Sequence, residues 1–450
     1  MCNTIPKNSM INWIKKLFKK DLVIYQTNEI FKVSGVPEHT FVERDVLNSK
    51  ISDFFSGKDT LLLFLGYSKS GKTVYRKKHL EKNDYKNIIF RCNNSSTIQQ
   101  LYDQIASECN LGQIITTSHS TEQSKTNGEK LEVSLTDAVK YESSNGVENK
   151  YNYIVTSEQT RIKNDVNFLC NTLKNKKVLI ILEDYHLVNP EFNKTISEDL
   201  KHFLDDGILF VLLGIPSSPN RALRNNPDLS GRLEYLNFDY LSNEEIESII
   251  KKGSNLLNVE FSKEVIDEII KQSLKNAFLV QNICKQLLLG NKITKTVESN
   301  KQKIHKPSDV TEACKIIAEK LNSDYEEIYS IINAGIRKQQ ETKAFNQYEE
   351  ILKVLKKLDI TILEKGIHYN EIFRQAWQDI EPTLVQEYIK NGTYVDETSF
   401  KNSFRTQIKE AVKKINLSLE KSSNRPILYV NDDNIYITDL VFKFYLNWKN

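Results

Sequence analysis

A chain of 450 residues is too long for one ordinary hydrophobic core, so two or three domains are expected. Hydrophobic residues at 39% and charged residues at 27% suit a water-soluble globular chain, and a net charge of +3 gives no global case for nucleic acid, leaving room only for a local basic patch. No apolar run nears the roughly 20 residues that cross a bilayer, no signal-peptide h-region opens the chain, and the six cysteines lack C-x-x-C spacing, so a spanning segment, a zinc site and a disulfide framework are not expected. A reducing cytoplasm is the simplest expectation.

Residues 1–30 form a basic amphipathic segment. Met10, Ile11, Trp13, Ile14, Leu17 and Phe18 share one helical face with Lys15, Lys16, Lys19 and Lys20 beside it. Such a face can lie on a membrane or a partner; packing on its own protein is the plainer reading, and membrane association is not expected. From residue 31 to 238 short apolar runs at Leu61–Leu65, Ile88–Phe90, Val178–Leu182, Ile208–Leu213 and Tyr235–Phe238 alternate with helical stretches, the pattern of a parallel sheet covered on both faces. Residues 118–150 are polar and read as a surface insertion within this core; a helix is expected to resume over Tyr151–Leu173.

Directly after the first run, Gly66-Tyr67-Ser68-Lys69-Ser70-Gly71-Lys72-Thr73-Val74 matches G-x-x-x-x-G-K-[ST]. Its glycines let backbone N–H groups curl around phosphate oxygens, and the helix that follows aims its positive end at the same anion. Lys72 can bridge the outer phosphates of ATP and the Thr73 hydroxyl can ligate Mg²⁺. A buried strand before the loop and a helix after it make chance a poor explanation. The run Val178–Leu182 ends in Glu183 and Asp184, two carboxylates at the sheet's C-terminal edge. One can hold Mg²⁺ and the other orient water, with Asp184 as the metal ligand or Glu183 in its place; two solvated acids in a turn are the plain alternative. Arg232, before the last strand, is the first choice for a residue reaching a neighbouring subunit's nucleotide, ahead of Arg221 and Arg224; a surface arginine is the alternative.

Beyond residue 238 the pattern turns helical. Ser242 and Glu245 make a capping box, and helix periodicity runs to Gly290. A lid is expected over residues 239–298 and a helical linker over 299–345, its start a polar connection. Over 346–450, helices at Gln347–Leu358, His368–Trp377 and Ser399–Leu417 precede two strands around Asn431–Asn434 and a short helix, the order of a winged helix. Along Ser399–Leu417, Lys401, Arg405, Lys409 and Lys413 form a stripe that could meet duplex DNA phosphates; a solvated lysine face is the alternative.

The stretch Phe41–Phe55 resembles the F-V-G-R-x-x-E-L box that precedes the phosphate loop in AAA+ and STAND ATPases, with Glu43 where glycine is usual. With the Walker A loop, the acidic strand end, the stretch around Arg232 and the terminal Asn434–Lys449 in that family's order, the resemblance covers most of residues 31–450. It implies an α/β P-loop NTPase of ASCE/AAA+ type with sheet order 5-1-4-3-2, a helical lid and a C-terminal winged helix. It further implies ATP and Mg²⁺ as cofactors, a γ-phosphate sensor among Ser217, Ser218 and Asn220, and assembly into homo-oligomers on ATP. A complete nucleotide site with no second catalytic site in the sequence favours a regulatory ATPase that hydrolyses slowly and signals to a partner protein or DNA, and a role in prokaryotic anti-phage defence follows by analogy. Lys275, Asn276 and Ala277 stand where the lid usually carries a G-x-P or a sensing arginine. A DNA-binding initiator or transposition-type loader and a non-catalytic nucleotide-binding scaffold are the alternatives.

Overall fold

The computed structural model describes residues 23–57, 60–81, 83–111, 116–120, 156–160, 164–215, 226–334, 346–421, 427–431 and 433–449. The expected Met10–Lys20 face, most of the polar insertion, and Ser217, Ser218, Asn220, Arg221 and Arg224 lie outside them.

In chain order the strands are β1 (Leu61–Leu65), β2 (Lys86–Arg91), β3 (Thr116–Ser120), β4 (Thr156–Thr160), β5 (Val178–Glu183), β6 (Leu209–Gly214), β7 (Leu233–Asn237), β8 (Val259–Phe261), β9 (Gln302–Ile304), β10 (Ile367–His368), β11 (Leu428–Asn431) and β12 (Asn434–Ile437). The helices are α1 (Thr27–Ile30), α2 (Asp45–Gly57), α3 (Lys72–His79), α4 (Ile98–Glu108), α5 (Val166–Leu173), α6 (Pro190–Asp205), α7 (Asn243–Leu256), α8 (Lys263–Gln272), α9 (Ala277–Gly290), α10 (Pro307–Ala334), α11 (Gln347–Lys357), α12 (Ile360–Lys365), α13 (Tyr369–Asp379), α14 (Pro382–Lys390), α15 (Glu397–Lys421) and α16 (Leu440–Trp448).

Five strands make one parallel sheet in the order β2-β5-β6-β1-β7. Counting only these five along the chain, that is 5-1-4-3-2 read from one edge, as expected. The unbroken apolar runs have a simple cause: both faces of the sheet are covered. Leu61, Leu63, Ile180, Leu182, Phe210 and Leu212 enter one buried cluster, while Leu62, Phe64, Leu179, Ile181, Val211 and Leu213 enter the other. Residue parity alone assigns each side chain to a face.

Several stretches differ from expectation, among them the unanticipated short helices α12 and α14 and strand β8. Thr156–Thr160 is a strand, antiparallel to Thr116–Ser120, and the helix begins only at Val166, where Asp165 accepts from the Phe168 N–H and caps it. Cross-strand pairing over these polar, Thr-rich residues overrides the helical reading, and Ser118–Ser120 belong to that pairing rather than to a structureless insertion. The polar connection after Gly290 contains β9, which pairs in parallel with β8 between lid helices.

The lid helices α7, α8 and α9 and the C-terminal elements share one continuous hydrophobic cluster. The 28-residue α10 bridges them, burying Val310, Cys314 and Ile317 near the lid and Ile328 and Ile332 near the C-terminal helices. The capping box at Ser242 and Glu245 opens α7. Gly253 in α7 faces the fully buried Phe31 ring, and a Cβ there would lie 2.2 Å from the ring's Cζ. Gly253→Ala is therefore expected to destabilise the fold by about 1–3 kcal/mol through overpacking, measured as a lowered denaturant midpoint at unchanged m-value.

Candidate functional site

Strand β1 ends at Leu65 and the chain turns through residues 66–71 into α3. Gly71 takes φ +100° as the N-cap of α3, a conformation that L side chains resist, and Lys69 also has positive φ. A Cβ at Gly66 would press against Ser70 Oγ and Phe238 Cβ, so the loop packs tightly on the end of β7. The Lys72 ammonium is held by the loop itself: its Nζ donates to the Gly66 carbonyl at 2.5 Å and the Tyr67 carbonyl at 2.7 Å. Burial pulls its pKa down to about 8, against the opposing pull of Asp184, Asp239 and Asp439.

A cavity of about 420 Å³ opens beside this loop. Ser68, Lys69, Ser70, Gly71, Lys72, Thr73 and Val74 line it together with Asp184, so seven of the nine loop residues expected at a nucleotide meet there. Phe41, Phe238, Ile249 and Phe278 add apolar surface to its lining, suited to a nucleobase. Lys69 lies 4.5 Å from the centre of the Phe278 ring, and Asn276, which caps α9, stands 3.5 Å from the Ser68 carbonyl. The lid thus touches the phosphate loop through the segment that departs from the usual lid motif.

Glu183 and Asp184 part company. Asp184 adopts φ +55°, a left-handed turn that Asp tolerates, and it lines the cavity. Glu183 is absent from the cavity wall; its carboxylate lies 3.0 Å from Arg76 Nε and 3.7 Å from Arg91 Nε. Arg232 forms an ion pair with Asp205 at 2.6 Å and precedes β7, at the sheet end away from the loop, so any contact with nucleotide would need a second copy of the chain. The basic stripe of α15 is largely engaged within its own domain. Arg405 donates to Asn370 at 2.9 Å, Lys409 lies 3.7 Å from Asp433, Lys413 lies 3.8 Å from Glu410, and Lys401 sits 5.2 Å from the centre of the Trp377 ring.

Four further residues were not singled out from the sequence. Arg44, in the box before the loop, donates to Glu245 at 2.7 Å and to the Tyr240 carbonyl at 3.0 Å, tying that box to the lid. The C-terminal residues Ile427, Thr438 and Asp439 line the cavity, and the Ser68 N–H donates to the Thr438 carbonyl at 3.3 Å. A single sequence holds no trace of that contact, which joins positions 370 apart.

This is a P-loop NTPase fold. Its sheet order, and the loop between β1 and α3 with an acid at the end of β5, carry that assignment. Scans against protein-family models and against curated proteins give no match. Among solved structures the chain is similar to a Walker-type ATPase of Pyrococcus abyssi at 12% identity and TM-score 0.46, covering 93% of this chain and 99% of that one. It is similar to Cdc6p from Pyrobaculum aerophilum at 12% identity and TM-score 0.39, covering 94% and 97%. A STAND protein with a tetratricopeptide repeat sensor from Pyrococcus horikoshii shows 13% identity and TM-score 0.32, covering 91% of this chain and 43% of that one. In this P-loop fold the donor set fits a magnesium-bound nucleotide: Thr73 and Asp184, whose hydroxyl and carboxylate are hard oxygen donors, line the same cavity as the Lys72 ammonium and the N-terminus of α3. No described helix is long and apolar enough to cross a membrane.

Proposed function

We propose that the chain is a regulatory ATPase. ATP with Mg²⁺ binds in the cavity, changes the seating of the C-terminal domain, promotes self-assembly and signalling to a partner protein, and slow hydrolysis resets the switch. One observation carries this reading. The Ser68 N–H, one of the loop amides suited to a phosphate oxygen, is donated instead to Thr438, and Asp439 beside it acts electrostatically on Lys72. A triphosphate would compete for that donor and bring negative charge towards Asp439. Nucleotide and this seating of the C-terminal domain therefore oppose each other, and linkage makes the opposition reciprocal: whatever loosens the domain tightens nucleotide binding by the same factor.

Within the site, Thr73 and Asp184 would hold the metal, which supplies charge neutralisation at the transferring phosphate. Lys72 would move from its own carbonyls to the phosphates, and the lid residues Asn276 and Phe278 would report occupancy to α9. The elements α11, β10, α13, α15, β11 and β12 follow the order of a winged helix, and we take them as a docking module. Its basic stripe is engaged within the domain, which favours protein over duplex DNA as the partner.

Calorimetry with ATP and Mg²⁺, paired with light scattering, tests the proposal. Heat of binding and a nucleotide-dependent change in mass or radius are expected. An inert titration with both ATP and GTP on folded protein would remove it.

A further inference from the structure

The two acids that end β5 are separated by their surroundings, and one buried arginine accounts for the separation. Arg76 is 3% exposed and lies on α3, three residues beyond Thr73. A buried guanidinium needs anionic partners, and Arg76 has two: Glu81 takes its Nη1, and Glu183 lies 3.0 Å from its Nε. The approach to Glu183 is not aligned as a hydrogen bond, so it is a Coulombic contact in a dry setting. Arg91, in register with Glu183 across the β2–β5 ladder, adds a second, exposed cation at 3.7 Å. The Glu183 side chain is only 12% exposed and the cavity wall does not include it. Asp184, one residue on, is turned into the cavity by its left-handed backbone.

We infer that Arg76 is a positioning residue that holds Glu183 off the metal and the reacting phosphate, leaving Asp184 as the acid that serves them. The inference rests on the nucleotide-site reading above and sharpens it. A carboxylate answering two guanidiniums has little charge left for a divalent cation or a water. The slow turnover of the proposed switch thus has a local cause, and the cause lies in a helix that starts at the phosphate loop. Movement of α3 that broke the Arg76 contact would hand Glu183 to the site.

The test uses the full chain with ADP and Mn²⁺ in place of Mg²⁺, reading free Mn²⁺ by electron paramagnetic resonance. Asp184→Asn is expected to weaken Mn²⁺ binding by about tenfold or more, whereas Glu183→Gln leaves it within about twofold of wild type. Arg76→Gln is expected to raise ATP turnover by about tenfold, and the gain should vanish in Arg76→Gln/Glu183→Gln. Thermal melts accompany each variant, and Arg76→Lys, a point cation unable to bridge both acids, replaces Arg76→Gln if that protein does not fold. Equal loss of Mn²⁺ affinity in the Glu183 and Asp184 variants would overturn the inference. So would unchanged or lower turnover in the folded Arg76 variant, or a gain that survives without Glu183. Wild-type protein that binds no Mn²⁺ with ADP would instead sink the nucleotide-site reading itself, and this inference with it.

Discussion

Lys72→Ala is expected to weaken ATP binding by about a hundredfold or more and to abolish nucleotide-induced assembly. The ammonium is held against the loop carbonyls and lines the cavity. Charge-assisted hydrogen bonds to phosphate oxygens are worth about 1.5–3 kcal/mol each, so losing two costs about 3 kcal/mol at the lower bound. Calorimetry gives the affinity and light scattering the assembly. A variant that still binds and assembles like wild type would leave the phosphate loop without a role.

The same residue sets a pH dependence. In the folded protein Lys72 titrates near 8, below its ordinary value of 10.5, because burial penalises the charged form more than the neighbouring acids favour it. A phosphate binds the protonated form, so wild-type affinity is expected to fall as pH climbs past about 8, with proton uptake on binding, while Lys72→Ala lacks both effects. Stability moves the other way. Between about 8 and 10.5 the unfolded chain holds the proton that the folded chain has released, so this lysine makes the free protein more stable as pH rises through that window. Calorimetry in buffers of differing ionisation enthalpy, and denaturant melts across the window, check the two signs.

The second large effect is expected at Asp439. Its carboxylate accepts from the Val441 N–H at 2.8 Å and the Phe442 N–H at 3.4 Å, capping α16, and from the Tyr325 hydroxyl at 2.8 Å. Asp439→Ala removes that cap, at about 1–2 kcal/mol, and with it the segment that presents Thr438 to Ser68. Asp439→Asn keeps an acceptor for the helix and removes only the charge facing Lys72. It is expected to tighten ATP binding by about tenfold, while Asp439→Ala shifts the protein towards its assembled or extended form without nucleotide. Small-angle scattering and calorimetry on both variants read this. Unchanged affinity in Asp439→Asn would mean that the C-terminal domain and the nucleotide do not compete.

Local residue order was enough for much of this molecule. The five apolar runs, their parity and the G-x-x-x-x-G-K-T loop between a strand and a helix were legible because covering both faces of a sheet demands continuous apolar residues, and because a phosphate cradle needs glycine where φ is positive. Ser242, Glu245 and the turn before Asn434 were legible for the same reason: caps and tight turns are decided within four residues. The strands β3, β4, β8 and β9 were not, since a strand of three to five residues exists only by virtue of the partner it pairs with.

The site shows the same division more sharply. Which residues line the phosphate loop follows from the sequence alone. Which of two adjacent acids faces it does not, because a left-handed turn at Asp184 and a buried arginine from another helix decide that between them. Nor could the seating of Thr438 and Asp439 on Ser68 be read from residues 370 positions apart. The chemistry of the loop is local and so is written locally; the restraint placed on it is made of contacts between distant segments, which exist only once the chain has folded.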